Sequence, residues 1–156
     1  MERSRDKVIA VRNAAAYGLC RLQNSIDPDE EVLQLVASNI RCESNTMIRR
    51  MYASNILVHS ITTHSIVETL RDEELSIRVA MLKNLEDHSV IQDLTLELRL
   101  AIIHCLEDRN EIIVKSSESL IIQNWMKKNS IPMVLSLLNI EQEETAVIEF
   151  SYMIHH

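Results

Sequence analysis

The stretch Asn45-Thr-Met-Ile-Arg-Arg-Met-Tyr-Ala-Ser-Asn-Ile56 contains the pattern that decides the fold. An acid or amide is followed by an aliphatic residue and then a basic one, and a second aliphatic residue comes eight positions after the first. The same order of residue types recurs at three other places in the chain. The four aliphatic-basic pairs are Val11-Arg12, Ile48-Arg49, Ile77-Arg78 and Val114-Lys115.

The spacing of these pairs predicts a stack of helical repeats. Successive basic residues lie 37, 29 and 37 residues apart, and two helices with their turns fill a period of this length. A single helix pair cannot bury its apolar face alone, so consecutive pairs pack side by side around a continuous core. The pattern resembles the HEAT repeat. We therefore expect an all-α HEAT-repeat α-solenoid of about four to five helix pairs in a right-handed superhelical stack.

Apolar residues at helical spacing and helix-start signals divide the chain into nine predicted helices. The start signals include the run Asp27-Pro28-Asp29-Glu30, a capping box from Ser65 to Glu68, and Ser130 ahead of Pro132. Connections are short, so we expect one domain over residues 1–156. Neither end has the polar outer face of a capping repeat, so we expect this domain to be a segment of a longer solenoid. The predicted helices are about 5–23, 28–41, 45–59, 65–71, 73–87, 92–107, 110–127, 131–139 and 143–154.

The composition excludes several classes of protein. The 156 residues include one glycine and two prolines, and only 3% are aromatic. Phosphate-binding loops and the tight turns of β-sandwiches need several glycines, so neither is expected. Cys20, Cys42 and Cys105 lack CxxC spacing and are expected to be buried, reduced thiols. Trp125 and the methionines are expected to fill space between repeats.

Charge and chemistry argue against an enzyme or a free-standing nucleic-acid binder. The net charge is −7, whereas nucleic-acid-binding domains are usually basic. His59 and His64 lack further ligands at metal-binding spacing, and no run of 18 apolar residues predicts a membrane span. A HEAT-like DNA glycosylase is the enzymatic alternative, but the sparse aromatic residues do not supply a base-binding cage. We expect no catalytic residue, no metal and no cofactor.

Basic residues on the second helix of each predicted pair are the candidate binding residues for DNA or a protein partner. In helical arrays such residues commonly bridge to acids of the neighbouring repeat, which is a structural role. Alternatively they line the concave face, where lysine and arginine can contact phosphates. Both interpretations stay open for Arg12, Arg49, Arg50, Arg78, Lys83 and Lys115.

Several segments, taken in order, resemble the CAP-G family of condensin, which is also called condensin complex subunit 3. The run Val11-Arg-Asn-Ala-Ala-Ala-Tyr-Gly-Leu-Cys-Arg-Leu-Gln23 is similar to that family's VR-x-x-A-x-x-x-L-x-R-L-Q segment, and the similarity stays in register along nearly the whole chain. Further matching segments are Ile48 to Arg50, Val67 to Asp72, Ser76 to Arg78, Leu96 to Arg109, Val114-Lys115, Leu120 to Met126 and Ile131 to Leu138.

The resemblance implies a HEAT solenoid without enzymatic activity. Members of this family bind the kleisin subunit of condensin, join the SMC ATPases through it, and form with kleisin a basic groove for double-stranded DNA. Arg49 and Arg50 match the family's double arginine, and Arg12, Arg78 and Lys115 match its basic column. Because the net charge is −7, we expect DNA contact to be weak or confined to the complex.

The resemblance also implies a location and excludes some partners. It places the protein in the nucleus and on mitotic chromosomes, with a cytoplasmic pool, and it implies no membrane partner and no small-molecule substrate. The alternative function is that of a general HEAT-repeat adaptor or scaffold for protein–protein interaction.

Overall fold

The computed structural model describes residues 2–24 and 26–139, and every regular element within them is helical. This part of the chain is an all-α helical-repeat solenoid, which confirms the predicted fold class. The α-helices are α1 (Ile9–Leu22), α2 (Glu30–Cys42), α3 (Thr46–Asn55), α4 (Thr63–Thr69), α5 (Leu75–His88), α6 (Leu96–His104), α7 (Glu111–Leu120) and α8 (Ile131–Leu137).

The helices form two layers. In the odd-numbered layer α1 packs on α3, α3 on α5 and α5 on α7, while in the even-numbered layer α2 contacts α4 and α4 contacts α6. A π-helical segment, Ile121–Met126, continues α7, and α8 packs against it. The described residues thus contain three complete pairs, α2–α3, α4–α5 and α6–α7, flanked by α1 and α8. The predicted helix 143–154 lies outside the described residues.

The core runs without interruption between the two layers. Each helix contributes one apolar face to this core. In α3 the buried residues Ile48, Tyr52 and Ala53 recur at helical spacing on the face towards α2 and the adjoining odd-numbered helices. Each fully buried aliphatic or aromatic side chain of this kind contributes about 1.5–3 kcal/mol. Trp125 is fully buried, which confirms its predicted role as a packing residue. Met47, by contrast, is 80% exposed and does not fill the core.

Two of the predicted helix starts are wrong in detail. Helix α2 begins after Asp29 rather than Asp27, because the Asp29 carboxylate accepts hydrogen bonds from the backbone N–H groups of Glu31 and Val32. Ser65 does not cap α4 but lies inside it, where its buried hydroxyl donates to the carbonyl oxygen of Ala37 at 3.0 Å. Ser130 is the N-cap of α8, as predicted.

Other boundaries move for similar local reasons. Helix α1 begins at Ile9 rather than near residue 5, because the Asp6 carboxylate accepts the N–H of Val8 at 2.8 Å and holds the entry in a turn. Helix α3 ends at Asn55, and the hydroxyl of Thr62 organises the following turn by accepting from the N–H of His59. The predicted helix 92–107 contains two short 3-10 turns around α6.

Candidate interaction surface

Three of the candidate basic residues form ion pairs between consecutive odd-numbered helices. Arg12 on α1 donates from Nε and Nη2 to the two carboxylate oxygens of Glu43, at 2.9 and 3.0 Å. This is the bidentate geometry that makes an arginine–carboxylate pair strong. Arg49 makes the same two-point contact with Asp72, whereas Arg78 contacts Asp108 through Nη1 alone and its buried Nε has no hydrogen-bond partner. We call these three pairs the ion-pair ladder.

The same local geometry recurs in each pair of the ladder. The acid lies two residues before the N-cap of the next odd-numbered helix and accepts that N-cap residue's backbone N–H. Glu43 accepts the N–H of Asn45 at 2.8 Å, and Asp72 accepts that of Glu74 at 2.9 Å. The arginine is the fourth residue after the N-cap of its own helix, and Arg49 also donates to the carbonyl oxygen of Glu43. Each acid therefore holds a helix entry and a neighbouring helix together.

The ladder arginines are largely buried and already engaged in ion pairs. The exposed fraction of the side chain is only 15% for Arg12, 13% for Arg49 and 17% for Arg78. An external phosphate would have to replace a carboxylate that is already hydrogen-bonded. Of the two interpretations left open by the sequence, the structure thus supports the structural one for these three residues.

The electrostatics of the Arg12–Glu43 pair agree with this structural role. Burial acts to raise the pKa of Glu43, but hydrogen bonds from Arg12 and from the N–H of Asn45 outweigh it, so this pKa lies below its usual value. The hydrogen bond that Arg12 donates to the Glu43 carboxylate likewise raises the pKa of Arg12. Both groups are therefore charged at neutral pH, and each stabilises the charged form of the other.

Lys115 does not continue the ladder. The N-cap of α7 is Asn110, so the fourth residue after it is Val114 and Lys115 is the fifth. The prediction aligned α7 by its aliphatic-basic pair and was wrong by one residue. Lys115 points to solvent and lies 3.5 Å from Glu111 on its own helix, with 73% and 87% of the two side chains exposed. Such a surface pair contributes little to stability.

The remaining candidates, Arg50 and Lys83, lie together in a groove on the outer side of the odd-numbered layer. Both side chains are exposed, and neither has an ion-pair partner within 4.0 Å among the described residues. The groove has a volume of about 670 Å³ and is lined by Arg50, Ser54, Glu74, Leu75, Ser76, Val79, Ala80, Lys83, Asn84, Asp87, His88 and Ile112. We call it the odd-layer groove.

The charges in the odd-layer groove are balanced rather than basic. Arg50 and Lys83 face Glu74 and Asp87 within the same lining, with apolar side chains such as Val79 between them. A surface that tracks a phosphate backbone carries an excess of positive charge. The mixture of both charges with apolar area is more typical of a surface that binds protein.

A second set of contacts between odd-numbered helices was missed at the sequence level. Buried Asn84 on α5 donates to the carbonyl oxygens of Ala53 and Ile56 at 3.1 and 2.9 Å. Gln23, just after α1, accepts the N–H of Leu57 at 2.9 Å and donates to Asn55 O at 2.8 Å. Asn124 in the π-helical segment donates to Glu86 O. The one feature of the sequence that could have indicated these contacts is an amide side chain among apolar residues at helical spacing.

The thiols and the metal-binding residue types show no site among the described residues. All three cysteines are free, and burial raises the pKa of Cys20 and of Cys105 to about 11. Cys105 is buried, Cys20 is half-buried and Cys42 is exposed, so the prediction that all three are buried holds fully only for Cys105. No group of three or more His, Cys, Asp or Glu side chains is placed to hold a metal ion in the described ranges. No helix in them could cross a membrane.

The fold defines the class of the protein as an all-α helical-repeat protein, and the described residues carry an exposed groove lined by both charges. No protein-family model matches the chain. It is similar to condensin complex subunit 3 of Homo sapiens, with 24% identity over 149 residues that cover 94% of this chain and 15% of that relative. The chain thus spans about 15% of the length of this curated relative.

Proposed function

We propose that the chain is a non-catalytic scaffold of a condensin complex, which binds a kleisin subunit and, within the complex, double-stranded DNA. The observation that carries the proposal is the similarity to condensin complex subunit 3, which extends over 94% of the chain. Binding to kleisin would connect the chain to the SMC ATPases and place it in the nucleus and on mitotic chromosomes. Its contribution would be to chromosome condensation in mitosis.

Arg50 and Lys83 are the residues that we propose for the contact. They are the two members of the six-residue candidate set that are exposed in the odd-layer groove, without an ion-pair partner in the described part of the chain. The acids beside them suit a kleisin segment that carries both charges and apolar residues. DNA would meet this surface only after kleisin has changed its charge, because the chain alone has a net charge of −7.

Charge reversal in the groove tests this proposal. Lys83→Glu and Arg50→Glu should weaken binding of the kleisin subunit from the same source. If Arg50 or Lys83 contacts a phosphate in the reconstituted complex, its reversal should weaken DNA binding. The slope of the logarithm of DNA affinity against the logarithm of salt concentration should then fall by about 1. Lys127→Glu is the matched control, since Lys127 is exposed and lies outside the lining of the groove. Affinity for both partners should stay unchanged in this control.

Two outcomes would contradict the proposal in different ways. A chain that captures no kleisin would favour the alternative, a general adaptor for another protein. Kleisin binding that responds equally to Lys83→Glu and Lys127→Glu would retain the condensin assignment but remove the odd-layer groove from it. Circular dichroism on each variant checks that helicity is preserved, so that weaker binding reports the surface rather than unfolding.

A further inference from the structure

The odd-layer groove carries four charged side chains that do not pair with one another. It is lined by Arg50, Lys83, Glu74 and Asp87, all of which are exposed. In the described part of the chain none of the four forms an ion pair within 4.0 Å, although Lys83 and Asp87 lie one turn apart on α5. The carboxylate of Glu74 makes no capping hydrogen bond either. A partner can therefore contact each of these charges without replacing an existing ion pair.

The packing of α3 on α5 sets the order of these charges along the groove. Arg49, near the start of α3, binds Asp72 just ahead of α5. Asn84, near the end of α5, donates to the carbonyl oxygen of Ile56 at the end of α3. Because the starts of the two helices meet and their ends meet, α3 and α5 run parallel and side by side.

Along this common axis the two basic residues fall between the two acids. Glu74 is the N-cap of α5 and Asp87 comes thirteen residues later, which is about 20 Å of helix. Arg50 is the fifth residue after the N-cap of α3, and Lys83 is the ninth after the N-cap of α5. From one end of the groove to the other, the order is therefore acid, base, base, acid.

Apolar side chains lie between and beside these charges. Val79 and Ala80 are half-buried and precede Lys83 by about one turn of α5. Ile112 of α7 borders the same groove and is 53% exposed. The apolar strip follows the axis of α5, so a partner helix that lies along it would bring residues one turn apart to successive charges.

We propose that the odd-layer groove binds an amphipathic helix of a protein partner in which two acidic residues are flanked on each side by a basic residue. The acids meet Arg50 and Lys83, the outer basic residues meet Glu74 and Asp87, and apolar residues on the same face cover the strip between them. The two carboxylates of the groove act as specificity determinants, because they repel a phosphate backbone and favour this order of charges. The inference rests on the role of this groove in the function proposed above, and adds the order of charges that the partner carries.

Two stapled helical peptides of the same composition test the order of charges. The first carries lysine, glutamate, glutamate and lysine one turn apart, with leucines on the same face, and the second exchanges the lysines with the glutamates. Each is labelled with fluorescein and titrated with the full chain, and binding is followed by fluorescence anisotropy. The first peptide should bind at least about tenfold more tightly than the second.

A charge reversal in the chain, with its matching reversal in the peptide, locates the contact. Asp87→Lys should weaken binding of the first peptide, and glutamate in place of one terminal lysine of that peptide should restore it. Restoration at one end alone also gives the direction of the bound helix. Glu97→Lys is the matched control, since Glu97 is exposed on α6 and lies outside the lining of the groove. Circular dichroism checks that both variants keep their helicity.

The inference is overturned if the two peptides bind equally, if neither binds at millimolar concentration, or if Asp87→Lys and Glu97→Lys have the same effect. These failures differ from a failure of the proposed function. A chain that binds kleisin through Lys83 but does not distinguish the peptides would contradict the inference alone. A chain that distinguishes the peptides but binds no kleisin would support this partner chemistry and contradict the assignment to condensin.

Discussion

Arg49 and Arg50 are neighbours in sequence, yet the structure gives them opposite surroundings. Arg49 is held between Asp72 and backbone carbonyls at the edge of the solenoid, with 13% of its side chain exposed. Arg50, one residue and about 100° further around α3, reaches the odd-layer groove and has no ion-pair partner in the described ranges. A shared residue type therefore says little about role until the helix face and the nearby acids are known.

Removing a ladder acid should produce the largest effect. Asp72→Ala leaves Arg49 without its carboxylate and the N–H of Glu74 without its acceptor, so we expect the free energy of unfolding to fall by about 2–4 kcal/mol. The control is Glu73→Ala, whose side chain is 87% exposed and 3.9 Å from Arg49. Urea unfolding should place this control within about 0.5 kcal/mol of the parent. Equal losses would mean that the ladder is not structural.

Asn84 and Lys83 of α5 are also neighbours in sequence with different surroundings, and they extend the comparison to the other end of the helices. Asn84→Ala removes two buried hydrogen bonds to α3 and should cost about 1–3 kcal/mol, because it leaves two carbonyl oxygens without a donor. Lys83→Ala, on the groove side of α5, should change stability by less than about 0.5 kcal/mol. Thermal unfolding of the two variants distinguishes them. A stable Asn84→Ala variant would show that these carbonyl groups find other partners.

Acid should weaken the ladder at the Arg12–Glu43 pair. The pKa of Glu43 is lower in the folded state than in the unfolded state, so the unfolded chain takes up the proton first. The stabilisation is then complete above about pH 5 and is lost as the pH falls through the folded-state pKa. Glu43→Gln should unfold more readily at neutral pH but show a shallower loss of stability as the pH falls below about 5. Glu73→Gln, which removes an exposed carboxylate 3.9 Å from Arg49, is the control for the loss of one negative charge.

Thiol labelling gives the smallest but simplest contrast between surface and interior. Cys42 is exposed beside the ladder, whereas burial raises the pKa of Cys20 and Cys105 to about 11 and keeps them as unreactive thiols at neutral pH. Peptide mapping after brief alkylation of the native protein should find Cys42 modified first. Modification of Cys105 at the same rate would mean that the core opens at the α6–α7 turn.

The sequence predicted the helical array because the repeat of apolar and basic residues is a one-dimensional signal. It could not assign the faces of the basic residues, since that needs the helix starts to within one residue. Lys115 was assigned to the basic column because α7 was aligned by its aliphatic-basic pair, whereas its N-cap at Asn110 puts Val114 at the ladder position. The acids Glu43, Asp72 and Asp108 would have given the correct register. Arg12, Arg49 and Arg78 lie six residues after Asp6, Glu43 and Asp72, respectively. The sixth residue after Asp108 is Val114, so Lys115 does not share their register.

Some features depend on tertiary contacts that no local pattern reports. Ser65 has the residue type of a cap, but the approach of α2 draws its hydroxyl to the carbonyl oxygen of Ala37 and buries it within α4. Leu22 falls at helical spacing from Val11, Ala15 and Leu19, yet it is 63% exposed, because burial depends on which helices pack against α1. Conversely, Trp125 was placed correctly because a large apolar residue within a helical column has few alternatives to the core.

The most direct test of the division of roles is to compare Arg49→Gln with Arg50→Gln in the same two assays. Urea unfolding should show a loss of about 1–3 kcal/mol for Arg49→Gln, which leaves the carboxylate of Asp72 without its arginine, and less than about 0.5 kcal/mol for Arg50→Gln. Binding to the kleisin subunit should weaken for Arg50→Gln and stay unchanged for folded Arg49→Gln. Equal stability of the two variants, with binding abolished only in Arg49→Gln, would contradict this account.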